Sequence, residues 1–239
     1  MALPKMNVPR YTVELPSTGA KLNMRPYLVK EEKVLMIALE SNDPEQITQA
    51  VRNIIKSCYE LDTLDNLTVF DIEMLFLQLR AKSVGEEMNI QIKCKTEECG
   101  TMNPISVNID DVVISKPEKE MSDTIILDKK QGVGIKMKYP SVDTIGRINP
   151  EKFNSVEGIM DLIIECIDSI FDDDNVFDAK NETKEDLEEF IESLSSEQFK
   201  LVQAFFQDTP AVSYYTEFTC NKCKTVNEVE LKGLNSFFS

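Results

Sequence analysis

The sequence predicts an α+β fold in which helical segments are combined with antiparallel β-hairpins. Three observations carry this. Apolar residues recur at helical spacing up to about residue 83, and at Gly85 the period changes to two. Two cysteine pairs, Cys94/Cys99 and Cys220/Cys223, each sit in a short turn between two alternating stretches. Between the pairs lies a block at residues 142–208, acidic over most of its length, whose apolar residues keep helical spacing. The expected organisation is an N-terminal hairpin with helices over 1–85, a β module built from 86–139 plus 211–239, and an acidic helical insertion over 142–208.

The elements follow in order. "YTVEL" runs into the turn residues "PSTG" at 16–19, and "AKLNMRPY" returns, which is a hairpin pattern. "KEEKVLMIALE" and "DPEQITQAVRNIIKSCYE" are expected to be helices. The second carries Ile47, Val51, Ile54, Ile55 and Cys58 on one stripe, so Cys58 is a small core residue. A third helix begins near Thr68, where Thr68 and Asp71 have cap spacing, and continues through "VFDIEMLFLQLRAK". Met88, Ile90, Ile92 and Cys94 then alternate with polar residues, and Ile105, Val107 and Ile109 alternate on the return, giving strand, cysteine turn, strand. Residues 116–120, rich in Lys, Glu and Pro, are the linker candidate, followed by strand-like "DTIILD" and "GVGIKMKYP".

From Val156 to Phe171 the apolar residues fit one helical stripe, with Cys166 beside it as a core residue. Two short helices follow, with capping-box spacing at Thr183/Asp186 and Ser195/Gln198. Pro210 ends the block. "AVSYYTEFTC", the turn "CNKC" and "KTVNEVELKGL" then repeat the strand, cysteine turn, strand arrangement.

Composition narrows the function. Net charge is −16, and residues 151–200 contribute −12 of it, with sixteen acids against four bases. Nucleic-acid backbones need a basic footprint, so that class is disfavoured. The acidic block is expected to be a solvated helix face, or else a docking surface for a basic partner segment. The longest apolar run, "VLMIAL", is too short to span a membrane, and the N-terminus lacks a signal-peptide pattern, so a cytosolic protein with reduced thiols is expected. The chain has no histidine, which excludes Ser-His-Asp triads, Cys-His proteases and H-E-x-x-H metalloproteases. Phosphate-loop and dinucleotide glycine motifs are absent too. "DDDNVFD" at 172–178 fails as an EF-hand loop because Thr183 falls where the bidentate glutamate is needed, and is expected to be a turn following a helix.

The four turn cysteines are the one constellation with chemical content. Tetrahedral zinc takes four thiolates, and two cysteine knuckles packed together make a zinc-ribbon-like module with structural Zn2+ on Cys94, Cys99, Cys220 and Cys223. C-x4-C is looser than C-x-x-C but within the range of structural sites. Lys93, Lys95, Lys222 and Lys224 lie beside the ligands and are expected to relieve the charge of a zinc–tetrathiolate centre. The same cysteines could instead form disulfides or remain free thiols. Closing a loop of ~120 residues removes roughly 4 kcal/mol of unfolded-state entropy.

Four stretches, "LPSTGAKLNMRPYLVKEEKVLM", "LFLQLRAKSVGE", "KMKYP" and "LKGLNSFF", occur in an order that resembles the baseplate hub assembly proteins of T-even-type contractile-tailed phages, over nearly the whole chain. The resemblance implies a non-enzymatic role in building the central hub of the tail baseplate, as hub component or as assembly factor handling the tape-measure protein. It implies other baseplate hub proteins as partners, and a location in the infected host cytoplasm during assembly or in the virion tail baseplate. It brings no catalytic residues. Phe237 and Phe238 in the tail are candidate anchors for a partner groove, with packing on the protein's own core as the other reading. Two other functions stay open at this point: a zinc-ribbon nucleic-acid or transcription accessory protein, and a thiol-disulfide oxidoreductase using Cys220 and Cys223.

Overall fold

The computed structural model describes residues 6–115, 123–148, 155–207 and 209–237. The chain divides into two compact units. The first comprises residues 1–64, 70–115 and 211–239, and the second 65–69 and 116–210. The linker candidate at 116–120 lies outside the described residues but follows the point where the first unit is left. Helices and antiparallel sheets make up both units, so the fold is α+β.

The first unit opens with the hairpin β1 (Tyr11–Glu14) and β2 (Lys21–Met24), then α1 (Val29–Ser41) and α2 (Pro44–Cys58). Asp43 caps α2 by accepting from the Glu45 amide at 2.9 Å, and Pro44 occupies the first helical turn, where its missing N–H is no loss. The start of α1 is fixed differently. Glu31 accepts from the Leu28 amide at 2.8 Å and from Arg25 Nη2 at 2.9 Å. Burial would raise the Glu31 pKa, but Arg25, the Leu28 amide and Lys30 outweigh it and hold the carboxyl at about 2.

The central helix of this unit is α3 (Val69–Ser83). It is buried nearly all round, through Phe70, Ile72, Leu75, Phe76, Leu77, Leu79 and Ala81. A helix with no polar stripe needs cover on every side. The Tyr59 hydroxyl donates to the Leu75 carbonyl at 2.9 Å, tying α2 to it. Beyond the helix come the hairpin β3 (Glu87–Lys93) with β4 (Met102–Asn108), the short strand β5 (Val113–Ile114), and the C-terminal hairpin β10 (Val212–Thr219) with β11 (Val226–Lys232). The sheets are β3-β4 and β11-β10-β5, all antiparallel. Their inward residues Met88, Ile90, Val107, Val212, Val229 and Leu231 share one core with Leu77 and Ala81. The alternation expected over Met88–Cys94 and Val212–Cys220 therefore describes faces that meet.

Glu73 of α3 accepts from the Leu234 amide at 2.9 Å and from the Val212 amide at 3.4 Å, and burial raises its pKa. It thereby holds the 3-10 turn Leu234–Phe237 against the unit. Phe237 is 2% exposed and belongs to the core, so its ring is spent on its own fold and is not presented to a partner. Phe238 lies outside the described residues.

The second unit has the sheet order β6-β7-β8-β9, formed by Thr124–Asp128, Val133–Met137, Ile167–Phe171 and Val176–Asp178, with every pair antiparallel. Helices α4 (Val142–Arg147), α5 (Val156–Glu165), α6 (Lys184–Glu192) and α7 (Ser196–Gln207) accompany it. Ile135, Met137, Ile163, Ile167, Ile191 and Phe205 are among its core residues. Gly134 admits no side chain, because a Cβ there would lie 2.2 Å from the Phe171 ring. Both capping boxes are present: Asp186 and Thr183 bond reciprocally, as do Gln198 and Ser195.

Two expectations are corrected here. Residues 142–208 are not all helical, because α5 ends at Glu165 and the chain enters β8 and β9. Ile163, Ile164, Ile167, Ile170 and Phe171 satisfy helical spacing, and a short apolar run does not separate helix from strand. The turn at Asp172 therefore follows a strand, with Asp172 accepting from the Asp174 and Asn175 amides. Strands β6 and β7, placed by sequence in the cysteine module, belong instead to the sheet of the second unit, where β6 pairs with β7 and β7 with β8.

The Glu31 carboxyl is depressed in the fold, so its stabilisation is present above the ordinary value of 4.5 and is lost as pH falls through about 2. Glu31→Gln should cost about 2 kcal/mol at pH 7, and the gap to wild type in urea titrations should close over that acid window. Phe237→Ala should lower stability by about 3 kcal/mol in the same assay, as expected for emptying a buried aromatic site.

Candidate metal centre

Two β-hairpin turns bring the four cysteines together. In the first, between β3 and β4, the Cys94 amide donates to the Thr101 carbonyl at 2.9 Å and the Cys99 amide to the Thr96 carbonyl at 2.9 Å. In the second, between β10 and β11, the Cys220 amide donates to the Thr225 carbonyl at 2.9 Å and the Lys224 amide to the Cys220 carbonyl at 3.0 Å. Each turn needs a left-handed residue directly after its second cysteine: Gly100 has φ +53° and Lys224 has φ +61°. Glycine adopts that conformation without penalty, and lysine does so only where the surrounding structure demands it.

All four Sγ atoms lie within 4.8 Å of one another. Cys94 Sγ is 3.6 Å from Cys223 Sγ, and Cys99 Sγ is 3.7 Å from Cys220 Sγ. These contacts cross from one knuckle to the other, over separations of 129 and 121 residues. All six cysteines of the chain are free thiols. A tetrahedron with metal–sulfur bonds of about 2.3 Å has edges of about 3.8 Å, which these two separations approach, and an all-thiolate donor set suits zinc. Cys94 and Cys220 are buried, Cys99 is half-buried and Cys223 is exposed, so one edge of the cluster faces solvent. Cys58 and Cys166 are core residues as expected, with burial pushing their thiols up to about 11 and about 12.

The surroundings favour charge on the sulfurs of the second knuckle. Hydrogen bonds from the Thr225 hydroxyl and amide bring the Cys223 thiol down to about 6. Cys220 is also lowered, first by the Cys223 amide. At Cys99 the Thr101 hydroxyl and amide pull down, but burial and the neighbouring Cys223 and Cys220 thiols prevail and the pKa is raised. A lowered thiol pKa is what a metal ligand or a nucleophile requires. The two cysteines of C-x-x-C sit here between antiparallel strands, whereas a thioredoxin-like motif opens a helix.

Sequence reasoning missed the asparagines that lock the knuckles to each other. Asn103 and Asn227 are buried and occupy equivalent positions in the two knuckles. Asn103 Oδ1 accepts from the Asn221 amide at 2.8 Å, and its Nδ2 donates to the Thr101 carbonyl at 2.8 Å. Asn227 Oδ1 accepts from the Lys95 amide at 2.8 Å, and its Nδ2 donates to the Thr225 carbonyl at 2.9 Å. Each asparagine therefore holds its own turn and clasps the residue after the first cysteine of the other. Asn103 Nδ2 also lies 3.7 Å from Cys220 Sγ. The signal was present as a repeated C-x-T-x-N, at 99–103 and 223–227. Among the lysines expected beside the cluster, Lys95 and Lys224 donate to the backbone carbonyls of Glu228 and Asn221.

Fold and site together define an α+β protein with a four-cysteine cluster that could hold a metal ion, and among the described residues no helix is long and apolar enough to cross a membrane. A family model described as T4 bacteriophage base plate protein matches residues 8–239. The chain belongs to this family, the T4-type phage baseplate proteins. No curated protein and no solved structure matches it.

Removing either asparagine leaves a backbone amide of the opposite knuckle without its partner, at a cost of about 2 kcal/mol. Urea denaturation of Asn103→Ala and Asn227→Ala should show both losses, with Asn103→Ala the larger because it also strips the contact to Cys220 Sγ.

Proposed function

We propose that this chain is a non-enzymatic protein of the central hub of the phage baseplate, acting as a hub component or as an assembly factor, with one structural Zn2+ held by Cys94, Cys99, Cys220 and Cys223. The family match over residues 8–239 carries the baseplate reading, and the four Sγ atoms within 4.8 Å of one another support the metal. With all four positions filled by protein, such a site has no place for a catalytic water. Zinc would supply cross-linking alone, fixing two hairpins whose cysteines lie more than a hundred residues apart.

The zinc-ribbon-like reading rests on the two knuckles, each a turn between antiparallel strands. Other baseplate hub proteins are the expected partners, with the tape-measure protein as the client of an assembly factor, in the host cytoplasm during assembly and in the virion tail. In the second unit, Ile170, Phe171, Phe177, Leu187 and Phe190 line a groove of about 250 Å3 edged by Asp172, Glu182 and Asp186. An apolar floor with an acidic edge suits a basic partner segment carrying an apolar anchor.

Native mass spectrometry of the purified chain should show one zinc per chain, and chelation should remove the metal together with the compact charge-state distribution. A compact metal-free chain would reject the zinc assignment. Co-expression with baseplate hub subunits separates this from the hub role: an assembled hub that forms at undiminished yield without this chain would reject that part. Insulin-reduction turnover, lost in Cys223→Ser, would favour the oxidoreductase instead.

A further inference from the structure

Helix α1 contains the longest apolar run of the chain, "VLMIAL", and the fold leaves most of it bare. Only Glu31, Leu35 and Ala38 of the helix are buried. Leu28, Val29, Val34, Met36, Ile37 and Leu39 are all exposed, Val29 at 79% and Met36 at 57%. Val84, 58% exposed, borders with Met36 and Leu39 a groove of about 270 Å3 and widens the same patch. A helix that is apolar on opposite faces is ordinarily covered on both. Six large apolar side chains exposed along one short helix exceed the scattered single exposures of a monomer surface and mark an interaction site.

The charges on this face indicate what covers it. Val29, Lys33, Met36 and Glu40 follow the i, i+4, i+7, i+11 spacing and line one side of the helix. Lys33 and Glu40 are exposed, and neither takes part in an ion pair among the described residues. They stand at equal distances on either side of the midpoint between Met36 and Ile37. A twofold axis through that midpoint sets a second α1 antiparallel to the first. It places Lys33 of one copy beside Glu40 of the other, twice, and stacks Met36 on Ile37 at the centre. The stripe is thus self-complementary in charge and in apolar content, the property an isologous interface requires.

We infer that α1 is a homodimerisation surface, paired antiparallel about the Met36–Ile37 midpoint with a second copy of this chain as its occupant. The inference does not depend on the metal or on the hub assignment. Left-handed packing of two such helices sets them close to antiparallel, which keeps both Lys33–Glu40 pairs in reach.

Sedimentation equilibrium on the full chain tests it. Wild type should show a concentration-dependent monomer–dimer equilibrium. Ile37→Glu sets a carboxylate against Met36 of the other copy, with the two new charges flanking the axis, and should leave monomer only. Because Ile37 is more than half exposed, circular dichroism should report an unchanged fold. Lys33→Glu should weaken the dimer about tenfold by facing Glu40 of the other copy, and Lys33→Glu with Glu40→Lys should restore it. A wild type that stays monomeric at 100 μM, about a hundred times a micromolar dissociation constant, overturns the proposal and assigns the face to a different chain. A double charge reversal no better than Lys33→Glu alone overturns the antiparallel register, and a dimer unaffected by Ile37→Glu places the interface elsewhere.

Discussion

The first unit depends on the clasp between two hairpin turns that lie far apart in the chain. Cys99 and Cys220 are separated by 121 residues, and bringing them together carries a loop-closure cost of roughly 4 kcal/mol. Apolar contacts between the β3–β4 and β10–β11 hairpins offset part of this, and the Asn103 and Asn227 bridges make the contact specific to one register. Buried asparagine side chains whose oxygens find donors only on the opposite turn penalise any slipped arrangement. A metal on the four sulfurs would add a further tie at the same place.

The clasp is backed by a second closure at the root of the long connection. Strand β5 pairs with β10 through Val113↔Ser213 and Ile114↔Val212, and the Ser115 amide donates to the Ala211 carbonyl at 2.8 Å. The chain therefore leaves the first unit and re-enters it at adjacent positions, so residues 116–210 can form a unit with its own sheet and core without disturbing the hairpins. Glu73 completes the arrangement from the side of α3, holding the start of β10 and the C-terminal turn with one carboxylate. For a baseplate protein, such a frame fixes in place the surfaces of the first unit.

Much of this was legible locally. The period-two stretches around Cys94 and Cys220 mark strands with one buried face, and the cysteines fall on that face. The boxes at Thr183 and Ser195 form as their spacing indicates, because a capping box involves only residues three apart. What failed was longer in range or ambiguous in period. The Ile163–Phe171 run satisfied a helix pattern although its second half pairs with β7. The repeated C-x-T-x-N was visible, but its meaning requires knowing that each asparagine reaches the other turn. Phe237 could have served a partner or the core, and only the Glu73 anchor on Leu234 shows which way the tail folds.

By itself the sequence determined the local conformations, the cysteine turns and the charge balance, since these depend on spacing, capping and backbone preferences within a few residues. Tertiary structure alone decided that β6 and β7 join β8, that Asn103 and Asn227 each clasp the opposite knuckle, and that α1 keeps its apolar stripe exposed. The physical reason is common to all three. An alternating strand specifies which face it must bury but not which partner buries it, and an apolar helix specifies only that it must be covered.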